Sequence, residues 1–218
     1  MARMALDTVA PRRCAGCSMP CAEAVCEACV ALCTSLPEPR RRATAYGACH
    51  AALPFEPPVR GLVHHLKYRG RRAAATVLGA LVVERLLLRL GPGSRQLARP
   101  DLVVPVPLGR RRRRERGYNQ AALLAAALAR PTGAPVADHA VRRRDTAPQV
   151  GRRGDDRRGN VRGAFAWCGP PLTGRTVWLV DDVVTTGATL EALATEMQQA
   201  GASRIEGVAA AMVSAPWE

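Results

Sequence analysis

Residues 177–190, "VWLVDDVVTTGATL", restrict the possible folds more than any other part of this 218-residue chain. Four apolar residues, Val177 to Val180, run into two adjacent carboxylates, Asp181 and Asp182. A short apolar run of this kind reads as a strand buried on both faces, as in a parallel sheet covered by helices. The two aspartates then stand at the carboxyl end of the strand, where open α/β sheets place their ligand crevices. The next residues, Thr185, Thr186, Gly187, Ala188 and Thr189, turn into a helix. Successive backbone N–H groups in such a turn, with the positive end of the helix dipole, make an anion cradle. Gly187 lets a phosphate come close to the backbone. Two carboxylates would repel that phosphate, so they must face another part of the ligand. The cis-diol of a ribose fits, because each carboxylate can accept a hydroxyl proton. A ribose 5-phosphate accounts for both halves of the motif.

The flanking segments support an α/β chain. "DLVVPVPL" (101–108) is a second buried strand, "IEGVAAAMV" (205–213) a third, and "ATAYGACHAAL" a weaker one. Helices are expected over 71–90, 119–130 and 189–201, and another begins in "PVRGLVHHLKYRG". Alternating strands and helices imply a mostly parallel sheet flanked by helices. The stretch 142–160 is too charged for a core, and a loop of that length reads as a functional lid or as disordered. The longest apolar tract, 73–90, is broken by Glu84, Arg85 and Arg89. It reads as an amphipathic helix and not as a membrane span. The N-terminus shows no apolar secretory core, so a cytoplasmic protein is expected.

Other phosphate-binding signatures do not fit. A strand ending in Asp-Asp suits a Walker B box, but the only lysine, Lys67, lies between Leu66 and Tyr68, outside any Walker A motif. No dinucleotide fingerprint, GxSxG or HExxH occurs. Of 32 basic residues all but Lys67 are arginine, and the net charge of +14 favours phosphate-bearing partners without choosing among them. The run Arg110 to Arg114 reads as a solvated, self-repelling face whose specific use would be to grip phosphate. His64 and His65 cannot both face one site from a helix, and a surface role is expected for each.

Six of the eight cysteines fall within 14–33. Cys14-x-x-Cys17 and Cys26-x-x-Cys29 are two knuckles with the spacing of a four-thiolate zinc site; a set of reduced or redox-active thiols is the alternative. Cys21 and Cys33 stand by as spares. "SLPEPRRR" (35–42) reads as a linker, which divides the chain into a Cys-rich zinc-binding segment with its linker, 1–40, and a larger domain, 41–218.

With these segments in view, residues 177–190 resemble the phosphoribosyl-diphosphate signature of type I phosphoribosyltransferases. "VPVPLGRRRRRERGYNQAALLA" (104–125), "HHLKYRG" (64–70), "DTAPQVG…DRRGNVRGAF" (145–165) and the cysteine knuckle resemble the ComF/GntX family over essentially the whole chain. Many members carry a further C-x-x-C-G where this chain has "PEPRRR", which leaves Cys14, Cys17, Cys26 and Cys29 as the implied zinc ligands. The resemblance implies a type I phosphoribosyltransferase fold with a small hood, here 43–70. It implies that Asp181 and Asp182 hold the ribose hydroxyls, that 185–189 cradle the 5-phosphate, and that the diphosphate is bound through Mg2+ near the turn after 104–107. Lys67 and Arg116 are candidates there; for Lys67 a solvated helix charge is the equal alternative. The 145–160 loop, with Gln149, Arg157 and Asn160, would be a lid. A link to natural transformation is implied as well. Two functions stand open: a phosphoribosyltransferase acting on a nitrogenous acceptor, and a non-catalytic relative that binds single-stranded DNA through its basic surface. Aromatics are 4% of the chain, too few for a base-stacking platform, so contact with DNA would be to its backbone.

Overall fold

The structure, a computed structural model, describes residues 12–68, 72–90, 97–143 and 163–213. In chain order the elements are α1 (Glu27–Ser35), β1 (Arg42–Thr44), β2 (Gly47–Pro54), α2 (Val59–Tyr68), α3 (Arg72–Leu87), β3 (Leu102–Pro105), α4 (Arg110–Arg116), α5 (Gln120–Thr132), β4 (Ala140–Arg142), β5 (Phe165–Trp167), β6 (Thr176–Val184), α6 (Ala188–Gln199) and β7 (Arg204–Met212). The fold is α/β. Its sheet runs β1-β2-β7-β6-β3, with β2, β7, β6 and β3 parallel and β1 an antiparallel edge. The apolar strand 177–180 lies near the centre, as its burial on both faces demands: Val177 meets Ile205 of β7 and Leu102 of β3.

Each face of the sheet has its own core. One holds Trp178, Val180, Val208 and Ala210 against α2, α3 and α5 through Leu62, Leu66, Leu78 and Leu124. The other holds Val177, Leu179, Ile205 and Ala209 against Leu190, Leu193 and Met197 of α6. Fully burying one such large apolar side chain contributes roughly 1.5–3 kcal/mol. The Trp178 indole N–H is satisfied by the Ala98 carbonyl at 2.8 Å. Among the described residues no helix is long and apolar enough to cross a membrane.

Three features differ from the sequence reading. Residues 47–54 form β2, the strand read weakly in "ATAYGACHAAL"; it belongs to the main sheet, paired with β7 from Gly47↔Ile205 to Pro54↔Met212, and not to the hood implied over 43–70. Its residues feed both cores: Ala52 and Leu53 belong to one, Cys49 and Ala51 to the other. His65, expected at the surface, is buried on α2 while its neighbour His64 is exposed, as adjacent helical positions require. The third is a buried ion pair inside two apolar strands. The His50 Nε2 lies 3.2 Å from Glu206 Oε2, and Arg204 Nη2 lies 2.7 Å from Glu206 Oε1. Burial pushes the Glu206 carboxyl up, but hydrogen bonds from His50 and Arg204 outweigh it and hold the group below its ordinary value.

Candidate functional site

The loop after β3 begins the site. Val106 N–H donates to Val180 O at 2.8 Å, so the chain stays against β6 as it leaves the sheet. Arginines are good helix formers, and 110–116 form a short helix, α4, that the charge pattern alone does not show. Gly117, at φ 73°, ends it in the left-handed conformation that glycine adopts readily. Asn119 then caps α5: its side-chain oxygen accepts from Ala121 N at 3.1 Å, and its Nδ2 donates to Val106 O at 3.0 Å. Tyr118 donates to the Leu66 carbonyl, beside Lys67 at the end of α2. The "GYNQ" stretch thus ties α4, α5, α2 and the loop after β3 to one another.

These elements enclose a cleft of about 420 Å3 at the carboxyl end of β6 and β3. Its lining includes Asp181, Asp182, Thr189, Lys67 and Arg116, five of the nine ligand-site residues read from the sequence. Thr185, Thr186, Gly187 and Ala188 lie in the turn between two cleft residues, Val183 and Thr189, and do not themselves line the cavity. In that turn Gly187 has φ 86°, which favours glycine, and a Cβ added there would meet nothing within 4 Å. The Ala188 N–H approaches Thr186 Oγ1 at 3.4 Å.

Adjacent strand residues ordinarily point to opposite faces, but at the end of β6 both Asp181 and Asp182 line the cleft. Lys67 Nζ lies 3.1 Å from Asp182 Oδ1, so the lysine sits beside the diacid. Asp181 Oδ1 accepts the Asp182 backbone N–H at 2.8 Å. Burial, and then the charge of Asp182, push the Asp181 carboxyl up to about 7 against the opposing pull of Lys67.

Of the other cleft residues, Arg111 and Arg112 read in the sequence only as part of a solvated arginine run able to grip phosphate, and Glu115, Gln120 and Arg142 are not singled out there. Arg111, Arg112 and Glu115 enter the cleft from α4, with Arg111 Nε 3.4 Å from Glu115 Oε1. Helical spacing explains the selection, since 111 and 115, and 112 and 116, are i,i+4 pairs on one side. Arg142 enters from β4, where its guanidinium stacks 5.3 Å from the Phe165 ring centroid. Gln120 also lines the cleft; its side-chain nitrogen is buried and has no hydrogen-bond partner among the described residues. An orphaned donor beside five basic side chains suits an oxygen-rich anionic ligand. Gln149, Arg157 and Asn160 lie outside the described residues.

A second cluster lies at the N-terminus. The sulfur atoms of Cys14, Cys17, Cys26 and Cys29 all lie within 4.8 Å of one another, with Cys17 and Cys26 at 3.8 Å. Two sulfurs on a tetrahedral ion with bonds of ~2.3 Å are ~3.8 Å apart, so the shell fits zinc. Gly16 and Cys26 N–H each donate to Cys14 Sγ at 3.3 Å. Burial pushes the Cys14 thiol up, but N–H groups of Cys26, Cys17 and Gly16 outweigh it and bring it to about 6. The donated hydrogen bonds favour the thiolate, the form that binds a metal. Cys33 stays apart, its buried thiol pushed up to about 11. The knuckle is packed into the main core: Cys14, Cys29 and Cys33 share a buried cluster with Val59, Leu62 and Leu66 of α2. A Cβ at Gly61 of α2 would strike the carbonyl oxygens of Gly16 and Ala15.

No protein-family model matches the chain. Over 153 residues, 70% of this chain and 66% of the relative, it is 36% identical to the DNA utilization protein YhgH of Escherichia coli (strain K12). The Salmonella typhimurium protein of the same name is 35% identical over the same shares. Competence protein F of Haemophilus influenzae is 35% identical over 68% of this chain and 66% of that protein. The chain therefore spans just under two thirds of the length of the relatives it matches. Among solved structures, glutamine phosphoribosylpyrophosphate amidotransferase from B. subtilis is similar at TM-score 0.42 and 18% identity, covering 67% of this chain and 30% of that one. A purine phosphoribosyltransferase from Pyrococcus horikoshii is similar at TM-score 0.37 and 18% identity, covering 65% and 86%. On the shared sequence, the chain belongs to the family of competence protein F and DNA utilization protein YhgH.

Proposed function

We propose that the cleft binds 5-phosphoribosyl diphosphate and that the protein works in the handling of imported DNA. One observation carries the first part: a diacid and a threonine–glycine turn opening α6 meet beside a cleft with five basic side chains. In this reading Asp181 and Asp182 accept the ribose hydroxyls. Backbone N–H groups of 185–189 hold the 5-phosphate at the start of α6. Lys67, Arg111, Arg112, Arg116 and Arg142 face the diphosphate, whose oxygens also take the orphaned donor of Gln120. Mg2+, bound with the diphosphate, would neutralise charge on the leaving group. The supported reaction class is displacement of diphosphate at the anomeric carbon by a nitrogenous acceptor. The protein's part is positioning and electrostatic stabilisation of the charge that gathers on the departing oxygens. The cysteine knuckle holds a structural zinc ion, because four thiolates leave no open position for chemistry.

The competence and DNA-utilization names of the relatives support the second part. A second reading, a non-catalytic protein that binds single-stranded DNA, draws on α4. Arg110, Arg113 and Arg114 are exposed there, on the helix that walls the cleft. Calorimetric titration with phosphoribosyl diphosphate and Mg2+, then with single-stranded DNA, tests the two readings. Asp181→Asn with Asp182→Asn should abolish the first binding and spare the second. Diphosphate release in the presence of a panel of nitrogenous acceptors would establish turnover. An unaltered diphosphate-sugar affinity in the double variant would count against the assignment.

A further inference from the structure

Arg42 belongs to "PEPRRR", which reads as a linker in the sequence. In the fold it opens β1, part-buried and paired with Cys49 of β2. Its Nη1 donates to the Thr185 carbonyl oxygen at 2.6 Å, a contact between residues 143 positions apart. Thr185 begins the turn between β6 and α6. In a trans peptide the C=O and the following N–H point in opposite directions. Holding the Thr185 oxygen on the Arg42 side therefore turns the Thr186 N–H to the other side of the loop. Beyond it Gly187 is fixed in the left-handed region, and the first turn of α6 offers N–H groups that have no intrahelical partner. The bond to Thr185 uses one of the five N–H donors of a guanidinium, and the full positive charge stays beside the turn.

We infer that Arg42 is a positioning residue of the phosphate cradle: it fixes the peptide plane that aims the 185–186 amide, and it supplies a cation that a threonine–glycine turn lacks. The ligand group is a sugar phosphate monoester. This inference rests on the proposed sugar-phosphate reading of the cleft. A purely structural role, in which Arg42 only fastens the edge strand to the loop, predicts lost stability with unchanged ligand selectivity.

The experiment titrates ribose 5-phosphate and, separately, magnesium diphosphate into the parent protein and into Arg42→Ala, Arg42→Gln and Arg42→Lys, with a thermal midpoint for each. Arg42→Ala should weaken ribose 5-phosphate about tenfold or more, as expected when the amide loses its aim and the turn loses a nearby positive charge, and leave magnesium diphosphate within about twofold. Arg42→Lys should keep most of the affinity. Arg42→Gln, a donor without charge, should fall between and gives the readout if the alanine variant does not fold. Unchanged ribose 5-phosphate affinity in Arg42→Ala or Arg42→Gln overturns the inference, as does an equal fall for both ligands. If the parent itself binds no ribose 5-phosphate, the sugar-phosphate reading fails together with it.

Discussion

Lys67 Nζ lies 3.1 Å from Asp182 Oδ1, with the two side chains 24% and 10% exposed. The lysine comes from the last turn of α2, and the aspartate from the far end of β6. One cation thus stands against a pair of neighbouring carboxylates, and it reaches that place because α2 is anchored at both ends. Near its start, Gly61 meets the cysteine knuckle; near its end, the Leu66 carbonyl accepts from Tyr118.

Replacing Lys67 by Met leaves Asp182 buried without its cation, so the fold should lose about 2 kcal/mol in chemical denaturation. The Asp181 carboxyl should also move further up, since the Lys67 charge now draws it down. Asp182→Asn should cost less than Lys67→Met, because an asparagine oxygen still accepts from the ammonium.

Asp181 makes stability and binding depend on pH in opposite senses. Its carboxyl is raised from an ordinary 3.8 to about 7, so the fold favours the protonated form. Stability should therefore fall as pH rises from about 4 to about 7, then level off, and Asp181→Asn should remove that slope. A ribose hydroxyl donates to the ionised form, so sugar-phosphate affinity should rise over the same range and reach a plateau above pH 7. Denaturation and titration at a series of pH values read both.

Gly61→Ala should separate the knuckle from α2. Its new Cβ would lie 2.7 Å from the Ala15 oxygen and closer still to that of Gly16, both backbone atoms that cannot move aside alone. A loss of about 2–3 kcal/mol is expected, with weaker ligand binding because Lys67 loses its anchorage. Gly79→Ala in α3 is the control. There the nearest atom is the Ala127 Cβ at 3.3 Å, and helix propensity gains up to about 1 kcal/mol, so the net change should be small.

The knuckle should carry one zinc ion per chain. Cys14→Ser with Cys26→Ser should bring the metal content close to zero and lower the thermal midpoint, since those sulfurs close a shell built into the α2 core. Elemental analysis of the purified protein checks this, and undiminished zinc in the double variant would refute the ligand set.

Local pattern revealed most of this architecture. The apolar runs at 102–105 and 177–180 are short enough and flat enough in composition to mean buried parallel strands, and the diacid with its turn marks the crevice at their end. The paired cysteines carried their own spacing. What the letters did not show depends on long-range packing. The arginine run is a helix because Gly109 and Gly117 bracket it, and only the helical period decides that 111, 112 and 116 enter the cleft. Arg142 and Arg42 arrive from small strands whose pairing no local pattern specifies. His50 and Glu206 are polar residues hidden in apolar strands; the register between β2 and β7 brings them together, 156 positions apart.

A sugar phosphate should sit where β6 gives way to α6. A crystal structure of the protein grown with phosphoribosyl diphosphate and Mg2+ reads its position. Density is expected with the ribose hydroxyls against Asp181 and Asp182 and the 5-phosphate on the amides of 185–189. Density for the ligand elsewhere on the chain, with the cleft holding only solvent, would overturn this placement.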